Sequence, residues 1–212
     1  STPLGSGGIS IVRMSGAGCI ALADTFFRGK RPLTEKKTHT ISYGKLIDPQ
    51  SGDVIDEVLV SVMRAPHTYT TEDIVEINCH GGYYVTQRIL QTVLAAGARL
   101  AEPGEFTKRA FLNGRMDLTQ AEAVIDVIQS KTELSRRAAV GQLEGRLKKE
   151  VRAMREQLID MIASIEAVID YPDYDIEEET YDSMEQGAQA LLSRMDTLLA
   201  HADRGNIQRE GL

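Results

Sequence analysis

The sequence predicts an α+β half followed by an all-α half, and three observations carry the prediction. Short β-like runs broken by Gly and Pro are confined to the stretch before Asp117. Beyond it, proline occurs only at Pro172. From Leu147 onward the apolar residues recur at helical spacing. The expected division is therefore residues 1–116 and 117–212, an α+β domain and a helical domain.

The elements follow in order. "ISIVRMSG" is apolar up to Arg13 and reads as a strand entering a Gly turn. "SGAGCIA" matches the G-x-G-x-x-A dinucleotide fingerprint, which also requires an acid about 20 residues later. Glu35, the acid at that distance, precedes the next strand and sits among lysines, so the segment reads as a tight turn into a helix. "TISYGKLID", "EVLVSVMRA", "DIVEINCHGG" and "ARLAEPG" are further strand-like runs. In the third of these, Val75, Ile77 and Cys79 alternate with Glu76, Asn78 and His80. One face is then apolar, and the other carries acid, amide and imidazole in a row. Such a row is commonly a solvated face, but here it runs into Gly81-Gly82 and a helix, "YYVTQRILQTVLAAG", whose first amides are free for a polar ligand.

"GEFTKRAFLNGRMDLTQAEAV" reads as two helices separated at Asn113-Gly114, leaving Arg115 and Asp117 in the joint. Thr119 to Glu122 is a T-x-x-E capping box and places the next helix start at Thr119. Leu147, Val151, Met154, Leu158, Met161, Ile165 and Val168 alternate steps of four and three along one helix face. Pro172 and the acidic run 173–182 form a solvated turn, and a second stripe at Ala188, Leu192, Met195, Leu199 and Ala202 makes an antiparallel partner.

Composition limits the function. The 212 residues, 42% hydrophobic and 26% charged, suffice for one sizeable core or two modest ones. A formal charge of -7 excludes coating nucleic acid by bulk electrostatics, so any RNA must be bound locally. No apolar run approaches the roughly 20 residues of a membrane helix, and no signal-peptide pattern opens the sequence, so a cytoplasmic location is expected. Cys19 and Cys79 lack a CxxC partner and read as buried small residues, not as a disulfide or metal site. Adjacent residues on a strand point to opposite faces, so Cys79 and His80 do not form a nucleophile pair. The acidic run 173–182 lacks the glycine and alternating oxygen ligands of a calcium loop. "GQLEGRLK" fails as a P-loop because Arg replaces the required Lys in a helical setting.

Taken together, "GSGGISIVRMSG", "TYTTEDIVEINCHGG", "PGEFTKRAFLNGRMDLTQAEAVIDVI", "VIDYPDYDI" and "GNIQREGL" resemble, in order and over nearly the whole chain, the N-terminal part of the MnmE (TrmE) family of tRNA modification GTPases. The resemblance implies a tetrahydrofolate-binding-like mixed sheet with helices that also forms a homodimer contact, followed by an all-α helical bundle portion. It places the G domain, with its GTP, magnesium and potassium, and a C-terminal cysteine motif outside this sequence, as well as an initiating strand. No residue here is then assigned to GTP hydrolysis, and no catalytic or metal residue is expected in this fragment.

The implied role is modification of the wobble uridine of certain tRNAs, the 5-carboxymethylaminomethyl-uridine pathway. It acts with the flavoprotein MnmG and with 5-formyltetrahydrofolate or another reduced folate as one-carbon donor. The family's folate-contacting positions fall on Arg13, Glu76 and Arg115. Many members carry Lys at the last of these; Arg keeps the charge but presents a planar fork. A carboxylate suits the donor edge of a pterin, and arginines suit the carboxylates of a folate tail. Which arginine meets which end stays open at this stage. Substitution of Glu72, on the loop before the strand, is expected to change folate binding little. Two other functions are compatible with the residues. One is a folate-dependent one-carbon transferase acting alone, for which His80 would be the base. The other is a pure dimerisation and interaction module.

Overall fold

The computed structural model describes residues 7–170 and 177–210, with the backbone alone for 177–180 and 201–210. It forms two compact units, Ser1–Met116 and Asp117–Leu212.

The first unit is a five-stranded sheet with helices. Its strands are β1 (Gly7–Ser15), β2 (Phe27–Gly29), β3 (Thr40–Ile47), β4 (Val54–Met63) and β5 (Ile74–Gly81), in the spatial order β1-β5-β4-β3-β2. Helices α1 (Cys19–Phe26) and α2 (Tyr83–Ala95) pack on one face, and α3 (Glu105–Leu112) is tied to the loop between β4 and β5 through Thr107 and Arg109. The alternation read from the sequence sets the register. Val12 and Met14 of β1, Val58, Val60 and Val62 of β4, and Val75, Ile77 and Cys79 of β5 are buried with Cys19, Ile20, Ala23 and Phe26 of α1 and Ile89 and Val93 of α2. Each Val, Ile, Met and Phe among them contributes about 1.5–3 kcal/mol by burial. A one-residue slip of β5 would exchange three of them for Glu76, Asn78 and His80, so the hydrophobic set fixes which row faces outward.

Three details depart from the sequence reading. The sheet is not mixed: every ladder among the described strands is antiparallel. The reason is the connections, since β3 and β4 are joined by a short turn and no pair of neighbouring strands is linked through a crossover helix. "ARLAEPG" is not a strand, because Arg99 and the Glu102 amide are drawn onto the Glu105 carboxylate. β2, only three residues long, carries too little pattern to be read from sequence. The Gly-rich turn after β1 is what was expected: Gly18, at φ 80°, caps α1 in a conformation that favours glycine.

The second unit contains α4 (Leu118–Gln129), α5 (Glu133–Leu143), α6 (Arg146–Asp170) and α7 (Glu177–Glu210). The capping box at its start lies two residues earlier than expected. Asp117 Oδ1 accepts from the Gln120 amide at 2.9 Å, and Gln120 Oε1 accepts from the Asp117 amide at 3.0 Å. The Thr119 hydroxyl donates to that same carboxylate at 2.7 Å, so Asp, a full anion at the positive end of the helix, displaces Thr from the capping role. Two glutamines tie α4 to α5: Gln120 Nε2 donates to Leu143 O and Gln142 Nε2 to Thr119 O.

α6 and α7 run antiparallel, with Glu150 against Arg194 and Met161 against Gly187. Of the α6 stripe only Met154 is buried, while Leu147, Val151, Leu158 and Ile165 remain exposed. Among the described side chains of α7 the buried one is Leu191, one position before the expected Leu192, because Gly187 and Leu191 rather than Leu192 and Leu199 turn inward. The expected turn at Pro172 lies in 171–176, outside the described residues, but Glu177–Asp182 of the acidic run already belong to α7. A helix N-terminus favours acidic residues, which is why the charge run begins a helix instead of prolonging the turn.

Candidate functional site

The polar row of β5 is not three equivalent groups. His80 donates its backbone N–H to Asp56 Oδ2 at 2.8 Å, and its Nδ1 lies 2.6 Å from Asp56 Oδ1. Asn78 Nδ2 donates to Leu59 O at 3.2 Å. Both are committed to the neighbouring strand β4. Glu76 instead faces its register partner across the ladder, Arg13 of β1. Glu76 Oε1 accepts from Arg13 Nε at 2.6 Å and lies 2.5 Å from Nη2. The pair is part-exposed, and the residue opposite Glu76 on β4 is Ser61.

Arg115 is placed by the end of α3. Gly114, at φ 75°, donates its N–H to Phe111 O, and Arg115 donates its own to Ala110 O. These two bonds make a Schellman C-cap, which accounts for the Asn-Gly and sets the direction in which the chain leaves the helix. The Asn113 side chain donates to Thr70 O at 2.7 Å, fixing the joint against the loop between β4 and β5.

Tyr69, on that loop, brings the arginines together. Arg115 Cζ lies 4.7 Å and Arg13 Cζ 5.9 Å from the centroid of the Tyr69 ring, and Arg13 is also 5.6 Å from that of Phe106. All three contacts are within cation–π range. The Tyr69 hydroxyl is 2.9 Å from Thr107 Oγ1 on α3. The loop is held further by Thr70 Oγ1 at 2.6 Å from Ser15 Oγ and by Ala65 N–H donating to Asp73.

A cavity of about 510 Å³ opens beside Tyr69, lined among others by His39, His67, Thr68, Thr71 and Arg115. No acidic side chain lines it. Arg13 and Glu76 are not in its wall. The three residues expected from sequence thus fall into two groups, an ion pair on the sheet and a cation in the cavity, joined by Tyr69. Sequence reasoning passed over Tyr69 and Phe106; an aromatic inside the polar loop "HTYTTED" was the available signal.

Behind this lies a charge network. Glu105 is buried and binds Arg99, the Glu102 amide and Arg109, in that order of effect. These partners hold its carboxyl well below the usual carboxylate range. Arg109 Nη1 also donates to Glu72 at 2.9 Å, and Glu72 accepts from Ser15 Oγ at 3.1 Å. Glu72 therefore fastens the loop to α3, a structural contact that the sequence did not show. Both thiols are buried, and their surroundings favour the protonated form. Burial, reinforced by Asp73 and Glu72, pushes Cys19 up to about 11, and burial raises Cys79 as well. Among the described residues no cluster of His, Cys, Asp and Glu is arranged to hold a metal, and no helix is long and apolar enough to cross a membrane.

Comparison with known proteins decides the family. Residues 1–115 match the model of the GTP-binding protein TrmE N-terminus, and residues 118–212 that of the MnmE helical domain. This chain belongs to the MnmE family. Over its full length it is 56% identical to the tRNA modification GTPase MnmE of Lactobacillus delbrueckii subsp. bulgaricus. It is 52% identical to that of Lacticaseibacillus paracasei, and 55% identical over 216 aligned residues to that of Geobacillus kaustophilus. It spans 46% of the length of each of these relatives. Membership of the MnmE family accounts for the α+β unit followed by a helical unit.

Proposed function

We propose that the chain is the part of a tRNA wobble-uridine modification GTPase that binds a reduced folate and dimerises, the whole protein acting in the cytoplasm with MnmG and tRNA. The observation that carries the folate reading is the convergence of Arg13, paired with Glu76, and Arg115 on one aromatic ring beside a cavity free of acids. The residues present fit the ligand chemically. A carboxylate and two guanidinium groups complement the donor edge and tail carboxylates of a folate, and an aromatic wall complements its flat ring. Folate bound there would supply a one-carbon unit; Arg13, Glu76 and Arg115 would bind and orient it. His80, paired to Asp56 and largely exposed, does not favour a one-carbon transferase acting alone.

Titration of the whole chain with 5-formyltetrahydrofolate in a calorimeter tests this reading. Saturable binding is expected, and its absence would leave only the interaction-module function. Self-association is supported by the sheet face opposite α1 and α2, where Ile9, Ile41, Tyr43 and Leu59 are exposed. Sedimentation at tens of micromolar, roughly where a modest interface persists, should give twice the chain mass. The mass of a single chain would contradict it.

A further inference from the structure

The ion pair and the cavity differ in what charge they leave unmatched. Arg13 is matched by Glu76 and flanked by Tyr69 and Phe106. Arg115 makes no ion pair among the described residues, and its charge faces a cavity whose other ionisable wall residues are His39 and His67. In a chain with 31 acidic residues against 24 lysines and arginines, a cavity carrying an arginine, two histidines and no acid is built for an anion.

Its remaining donors agree. His39 is held with Nδ1 2.9 Å from Thr38 Oγ1, which leaves Nε2 for another partner. His39 and Thr71 both sit at positive φ, 57° and 61°, a conformation uncommon outside glycine. His39 keeps its place through its backbone N–H on Val62 O at 2.8 Å, and Thr71 through its own on Thr68 O. A single carboxylate would satisfy Arg115 alone. Two histidines beyond it, in a space of about 510 Å³, leave room and donors for further carboxylates.

Resting on the folate reading, we propose that this cavity binds the γ-linked glutamate tail of the folate. The first tail carboxylate meets Arg115, those of added glutamates meet His39 and His67, and the ring is directed toward Arg13 and Glu76. The ligand's orientation then follows from charge. The matched pair takes the uncharged ring edge, and the unmatched cation takes the polyanion. The chain is accordingly selective for polyglutamylated over monoglutamylated folate.

The experiment is calorimetric titration of the whole chain with the mono- and the tri-γ-glutamate of 5-formyltetrahydrofolate, repeated on the His39→Ala/His67→Ala double variant, which removes both donors. The two charge-assisted hydrogen bonds gained by the longer tail correspond to a ratio of dissociation constants of at least about ten in the native chain. In the double variant the ratio falls to about one. A native ratio near one overturns the tail assignment while leaving folate binding intact, and so does a ratio of about ten that survives in the double variant. Failure of both ligands to bind overturns the folate reading itself. Displacement of bound triglutamate by a short RNA stem-loop at micromolar concentration would show that the cavity takes phosphates instead, and would overturn the assignment too.

Discussion

Replacing Tyr69 by Leu should uncouple the two arginines from the fold. The ring receives Arg115 at 4.7 Å and Arg13 at 5.9 Å, and its hydroxyl meets Thr107 at 2.9 Å. At a half-exposed site each cation–π contact is worth about 0.5–1 kcal/mol. The hydroxyl adds about 1 kcal/mol. Tyr69→Leu should therefore destabilise the first unit by about 2 to 3 kcal/mol, whereas Tyr69→Phe, which keeps the ring, should lose only the share of the hydroxyl, about 1 kcal/mol. Urea unfolding of the whole chain followed by circular dichroism reads both. A double-mutant cycle of Tyr69→Leu with Arg115→Ala isolates the closer contact and should return a coupling of about 0.5–1 kcal/mol. Equal losses for Leu and Phe, together with a coupling indistinguishable from zero, would refute the view that the ring organises the site.

Asp117→Ala removes an N-cap that also holds Thr119, so the helical unit should lose about 0.5–2 kcal/mol in the same unfolding assay, while Thr119→Ala should lose less. Glu105 is held below its ordinary carboxyl value of 4.5. Its contribution is therefore fully present above that value and is lost as the pH falls below it. An acid titration of the native chain should show this loss, and Glu105→Gln, already weakened at neutral pH, should show a shallower decline between pH 4.5 and the acid limit. An acid slope unchanged by the substitution would contradict the assignment. With no phosphate-cradling loop in its sequence, the isolated chain should not bind a fluorescent guanine nucleotide saturably.

The strands and their faces were legible in the sequence because burial imposes a period of two. Val75, Ile77 and Cys79 could only turn inward together, which put Glu76 outside; its register opposite Arg13 is set by strand pairing and was not legible. The Asn113-Gly114 joint was legible because a left-handed residue after a helix favours glycine. Tyr69 was not legible. Its place depends on a loop with no periodicity folding back through Thr70 on Ser15 and Asn113 on Thr70, contacts between segments far apart in sequence. The same holds for Glu72, whose partner Arg109 lies 37 residues away. The exposed α6 stripe failed as a guide to burial for another reason: amphipathicity reports that a face needs a partner without saying which segment supplies it.

Folate affinity compared across three variants of the whole chain tests the site most directly. Glu76→Gln and Arg13→Ala each break the pair at 2.6 Å and should raise the dissociation constant of 5-formyltetrahydrofolate. A lost hydrogen bond to a charged group, about 1.5–3 kcal/mol, corresponds to roughly ten- to a hundredfold. Glu35→Gln, on an exposed turn with no side-chain partner among the described residues, should leave the constant within about twofold of the native value, an effect under roughly 0.5 kcal/mol. Equal affinities for all three variants and the native chain would contradict a folate site built on Arg13 and Glu76.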